Sequence, residues 1–235
     1  MYKRIVYKVR NEVSLNTRQV PFLCNQAETN YREARKHHSN NLPIISEYEL
    51  DFVEKLRTDG VAITSLEALS IPSTEQMLDA AKSLMPKIPR SISENKNEFV
   101  IHATPQQILE HQEIFIWGLE QRLVNIVENY IGLPVAYHGA YFRRDIVNKV
   151  QLKSRLWHID PEDRKVLKVV IYLNDVDENN GPFEYIPQSL TSKLVSSLKY
   201  THGYVQDKTM EKVISPSHFK SCTGIPGTVI LAATG

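Results

Sequence analysis

The hydrophobic pattern changes its period at Pro134, and that change limits what this chain can fold into. Ahead of Pro134 the apolar residues recur at helical spacing. Ser46 with Glu49 has the spacing of a capping box, followed by Leu50, Val53 and Leu56, and Gly60 ends that helix. VAITS (61–65) reads as a short strand. Ser73 with Gln76 repeats the capping-box pattern ahead of Met77, Leu78, Ala81 and Leu84, and Pro86 stops it. The strongest pattern predicts one long helix over roughly 105–131, with Ile116, Leu119, Leu123, Ile126, Val127 and Tyr130 as its apolar stripe. Residues 1–45 are polar and weakly periodic and read as an N-terminal extension.

Beyond Pro134 the segments become short, β-rich and separated by turn chemistry. VAYHGAYF, VQLKSRLWHI, VLKVVIYL, FEYI and TVILA read as strands. DIVN, DPED, DENNGP and GIPG read as the turns between them. A helical part over 46–134 followed by a β part over 135–235 predicts a single α+β domain built on a double-stranded β-helix, or jelly-roll, core.

Composition narrows the function. The chain has 235 residues, 42% of them apolar, which is enough for a substantial core. Lys plus Arg number 28 against 27 acids, so charge offers no reason to expect nucleic acid or an anionic membrane as partner. No run is long and apolar enough to span a bilayer, and the basic start lacks the apolar run of a signal peptide. Cys24 and Cys222 fit no metal or redox spacing, so the expected compartment is the reducing cytoplasm. The oligomeric state leaves no trace in the sequence.

The chemistry-bearing stretch is RLWHIDPEDRK. On a strand, residues two apart point the same way. Val150, Leu152, Leu156, His158 and Asp160 would share one face, so an imidazole and a carboxylate emerge side by side. Two such ligands with a distant His make the facial triad of non-heme Fe(II) oxygenases. The spacing alone is weak, since this composition yields about one His-x-acid pair by chance. The second pair, His111 and Glu113, falls on the long helix, where residues two apart do not face each other, and reads as surface polar residues.

The flanking sequence is more specific. WHIDPEDRKVLKVVIYLNDVDENNGPFEYIPQS resembles the phytanoyl-CoA dioxygenase family of Fe(II)- and 2-oxoglutarate-dependent oxygenases. The features that match are an aromatic before His-x-Asp, a following strand, and a turn at Asn180, Gly181 and Pro182. Gln188 and Leu190 depart from the Gly and His usual in the family, at what reads as a surface turn. The resemblance covers 135–235 well and the helices before it more loosely.

That resemblance implies metal ligation by His158 and Asp160, and 2-oxoglutarate decarboxylation coupled to hydroxylation of a C–H bond in a small organic substrate, with O2 consumed. The carboxylate at Asp160 argues for hydroxylation, because related halogenases carry a small residue there. Tyr141 and Arg143, alternating with Asp145, stand where such a family strand carries cosubstrate-binding groups. Trp157 and Tyr172 read as packing near the site. Lys168 alternates with Val170 and Tyr172, and an exposed side chain is expected of it. The family's second His follows a Gly-Thr or Gly-Asp pair by about eleven residues. Counted from Gly227, it would fall about three residues past Gly235, so the expectation is a C-terminally truncated member lacking its last strands. Two alternatives stand beside it: a non-catalytic jelly-roll binding module (or an inactive truncated fragment), and a different metal enzyme using His138, His202 or His218.

Overall fold

In the computed structural model, residues 21–90 and 98–235 are described, with side chains from Asn25 onward. The fold is organised around β7 (Thr228–Ala233), which reads TVILAA and is buried along almost its whole length. A strand this apolar on both faces is stable only where both are covered. It lies between β1 (Val61–Ser65) and β4 (Leu167–Ile171), antiparallel to both, with Val61 opposite Ala232 and Leu167 opposite Ala233.

The period of two sorts the side chains of this sheet. Val229 and Leu231, with Ala62, Leu167, Val169 and Ile171, face a helical layer and pack on Phe52, Val53, Leu56, Leu123, Ile126 and Tyr130. Ile230 and Ala232, with Val61, Val170 and Tyr172, face the other way and pack on Phe183, Tyr185 and Cys222. The latter belong to a hairpin-like pair, β5 (Phe183–Tyr185) with β6 (Lys220–Cys222). The Tyr172 hydroxyl joins these layers, donating to the Cys222 carbonyl at 2.7 Å and accepting from the Phe183 amide at 2.9 Å. A third pair, β2 (Val100–His102) with β3 (Arg143–Asp145), stands apart. The protein is therefore a mixed α+β structure of small antiparallel sheets, and the described strands form no closed barrel.

The helical layer contains α1 (Pro21–His38), α2 (Glu47–Thr58), the single turn α3 (Leu66–Leu69), α4 (Thr74–Leu84), α5 (Pro105–Leu109), α6 (Gln112–Trp117) and α7 (Gln121–Ile131). The Ser46–Glu49 capping box starts α2 as expected. Ser73 caps nothing; its hydroxyl goes to the Glu120 carboxylate instead. The long helix expected over 105–131 is three helices. The chain breaks at His111, whose backbone leaves the helical region, and again at 118–120. Thr104, Pro105 and Gln107 form the capping box and N1 proline that open α5. His111 is buried rather than on the surface. It donates from Nδ1 to the Gln107 carbonyl at 2.7 Å and accepts at Nε2 from the Lys87 ammonium at 3.1 Å. Ile116 and Leu119 of the expected stripe are exposed, while Leu123, Ile126 and Tyr130 are buried.

Within 21–45, the part of the expected extension that is described, α1 is a regular helix rather than a loop. Its C-terminal His38 contacts Glu128 of α7 at 2.7 Å. Residues 1–20 lie outside the described residues. In the β half, VAITS, VLKVVIYL, FEYI and TVILA hold their strands, whereas VAYHGAYF is irregular ahead of β3. VQLKSRLWHI is no strand. A 3₁₀ turn at Lys153–Arg155, with Lys153 at φ +50°, folds it around the Arg155 guanidinium. That group donates to the carbonyls of Phe99, Ile146, Asn148 and Val150. Two further helices, α8 (Gln188–Leu198) and α9 (Asp207–Met210), fill 188–210. α8 begins at Gln188, where a surface turn was expected.

Leu231 is fully buried between helix and sheet layers. Leu231→Ala should destabilise the protein by about 2–5 kcal/mol in urea titration. Ile63→Ala, at the half-exposed middle of β1, should cost about 1 kcal/mol or less.

Candidate functional site

His158 and Asp160 sit side by side, although not by strand alternation. Two anchors extend this segment. Trp157 exchanges backbone hydrogen bonds with Val205 at 3.1 and 2.8 Å, and the Asp160 amide donates to the Thr234 carbonyl at 2.6 Å. The end of β7 thus carries the carboxylate's backbone.

The imidazole is oriented by its own chain. His158 Nδ1 lies 2.7 Å from the Leu156 carbonyl, which can only accept. The proton of the neutral ring is therefore on Nδ1, and the lone pair is on Nε2. Nε2 stands 3.7 Å from Asp160 Oδ1, beyond hydrogen-bond range. Two ligands each about 2.1 Å from one cation at a right angle are about 3 Å apart, so this gap needs little closure.

The Asp160 carboxylate is 7% exposed. Its other oxygen, Oδ2, meets the Lys168 ammonium at 2.5 Å, in ion-pair contact but without hydrogen-bond geometry. Lys168 points to the same side of β4 as Val170 and Tyr172, and is half-exposed as it reaches Asp160. Lys168 is exposed, as expected, and it is also the counter-charge of the candidate ligand. Thr234 Oγ1 is also buried without a partner. Asp160 Oδ1, on the side away from Lys168, is the oxygen that stands beside the imidazole, and this oxygen–nitrogen pair is the donor set a small cation would need. Among the described residues, however, no third His, Cys, Asp or Glu stands with the pair. His138, His202 and His218 are exposed, and no hydrogen bond or ion pair among the described residues joins them to it.

Aromatic groups frame the imidazole. The Tyr204 ring lies 5.3 Å from that of His158. The Tyr200 hydroxyl accepts from the Ile159 amide at 3.1 Å and donates to the Gly203 carbonyl at 2.8 Å. Trp157 donates from Nε1 to Asp207 at 2.8 Å and packs on Phe219. No period in the sequence marks Tyr200 or Tyr204, because both lie in irregular chain brought over by α8.

Tyr141 and Arg143 are placed elsewhere. The alternation expected of them holds: Tyr141, Arg143 and Asp145 are exposed, and Phe142 is buried. Arg143 pairs with Asp145 at 3.2 Å and lies across from His102. Burial, and then the Arg143 charge, hold the His102 imidazole below its ordinary pKa. Among the described residues no hydrogen bond or ion pair connects Tyr141 or Arg143 with His158 or Asp160.

Lys168→Met leaves a buried carboxylate without its counter-charge and should lower stability by about 1–3 kcal/mol. The same change in an Asp160→Asn background should cost much less. Additive losses in urea titration would remove Lys168 from the site.

Comparison of the chain with protein-family models and with curated proteins returns no match.

Proposed function

We propose that this chain carries the core of a non-heme Fe(II)- and 2-oxoglutarate-dependent dioxygenase that hydroxylates a C–H bond of a small organic substrate. The observation that carries this reading is the His158–Asp160 pair. One ring nitrogen is committed to a carbonyl, and the other stands 3.7 Å from a buried carboxylate. Carbonyl anchoring of the distal nitrogen is how metal-ligating histidines are held. Iron and 2-oxoglutarate would supply the oxidative chemistry; His158 and Asp160 would hold the metal.

The remaining residues support that role through position. Leu156 fixes the tautomer of His158. Lys168 holds Asp160 Oδ2, which leaves Oδ1 turned to the imidazole. Tyr204 covers one side of the ring. Arg143 and Tyr141 stay on the exposed face of their strand end, where the resemblance assigns them to 2-oxoglutarate. A jelly-roll frame is supported by the β1–β7–β4 sheet packing against β5–β6. The Thr234 carbonyl accepts from the Asp160 amide, which holds the end of the central sheet strand beside the pair.

A second reading has its own observation. The Lys168 ammonium neutralises Asp160 without any metal, and the described residues offer no third ligand. A non-catalytic binding module accounts for both facts.

Anaerobic Fe(II) titration of the protein expressed from its whole coding sequence separates the two. With 2-oxoglutarate present, we expect one iron per chain and visible charge-transfer absorption. His158→Ala and Asp160→Ala should each weaken binding by about 100-fold or more. A folded protein that takes up no iron, or variants that bind it as well as wild type, would leave the binding module.

A further inference from the structure

A second cluster lies away from the residues of this pair, at the C-terminal end of α7. The Arg57 guanidinium donates to the Asn129 carbonyl at 3.1 Å, and the Lys165 ammonium donates to the next carbonyl, Tyr130, at 2.9 Å. Arg35 of α1 reaches the same place. A Cβ added to Gly132, two residues on, would meet its Nε at 2.8 Å. That Nε is buried and donates to nothing. The rings of Tyr31 and Tyr130 line the cluster, with Arg35 5.8 Å from the first centroid and Lys165 4.4 Å from the second.

Among the described residues, three cations meet here without an anion. The neighbouring acids are committed elsewhere: Glu128 to His38, and Glu28 to Arg32 and Arg164. Among the described residues no carboxylate pairs with Arg35, Arg57 or Lys165. The helix end offers only about half a negative charge, so the cluster keeps a clear excess of positive charge. Burial, and then the Arg35 and Arg57 charges, push the Lys165 ammonium down to about 8. Arg57 and Lys165 each spend one N–H on a carbonyl and retain the others, while Arg35 keeps a buried donor unused. Several free donors and an excess of charge match a dianion with several acceptor oxygens better than a single carboxylate.

We propose that Arg35, Arg57 and Lys165 form a binding site for a phosphate group, either free or carried on a small molecule. The site is independent of the dioxygenase reading.

Calorimetric titration of the full chain, at neutral pH and constant ionic strength, with inorganic phosphate and with glycerol 3-phosphate tests it. One-to-one binding of either is expected, weakened about tenfold or more by Arg35→Met and by the exposed Arg57→Met. Tighter binding of the ester marks a phosphorylated metabolite as the ligand, and tighter binding of the ion marks free phosphate. No binding to folded wild type, or binding undiminished in both variants, overturns the proposal.

A pH titration gives a second readout. Between about 8 and the ordinary lysine value of 10.5, the unfolded chain holds a Lys165 proton that the folded chain has lost. Stability relative to Lys165→Met should therefore rise with pH across that window. The groups facing Lys165 are the Arg35 and Arg57 guanidiniums and Tyr130, whose hydroxyl burial pushes above its ordinary value. Saturating phosphate should hold the proton on Lys165 and flatten the rise. A rise that phosphate leaves unchanged would count against the site.

Discussion

The structure depends on burying one strand, β7, on both faces and both edges. Its apolar run has no stable place at a surface or a sheet edge. β1 arrives from the helical half to cover one edge, and β4 covers the other. The helices close over Val229 and Leu231, and the β5–β6 pair closes over Ile230 and Ala232. Because β1 comes directly after α2, the N-terminal half is tied into the β half by the same strand.

The candidate site follows from where that strand ends. Thr234 takes the Asp160 amide, and β4 lays Lys168 against the Asp160 carboxylate. A buried carboxylate requires compensation. Here the compensation comes from one side: Lys168 meets Oδ2, while Oδ1 faces an imidazole whose proton is held away by the Leu156 carbonyl. That arrangement leaves a donor pair that a cation could bridge without first dismantling the lysine contact. The cationic cluster at the end of α7 shows the opposite condition, with no carboxylate among the described residues paired to Arg35, Arg57 or Lys165.

The legible elements were those whose local signal agreed with their environment. VAITS and TVILA became strands, and Ser46 with Glu49 became a capping box. Elsewhere a periodic signal outran its packing. The stripe from Ile116 to Tyr130 is continuous on paper, yet the chain turns at His111 and at 118–120, leaving Ile116 and Leu119 exposed. The alternation through 150–159 failed because Arg155 collects four carbonyls and curls its segment into a turn. The Thr104 capping box was present in the sequence, but the apparent long helix obscured its meaning.

The sequence by itself determined the mixture of helix and strand, because hydrophobic period and capping chemistry act within a few residues. It also brought His158 and Asp160 to notice, since residues two apart in extended chain of any kind remain neighbours. Only the tertiary structure decided that Lys168 answers Asp160, that Tyr204 lies on His158, and that Arg35, Arg57 and Lys165 meet at one helix end. Those contacts join residues far apart in the chain or on different elements. Their geometry is set by how the layers close on β7, and no local pattern encodes it.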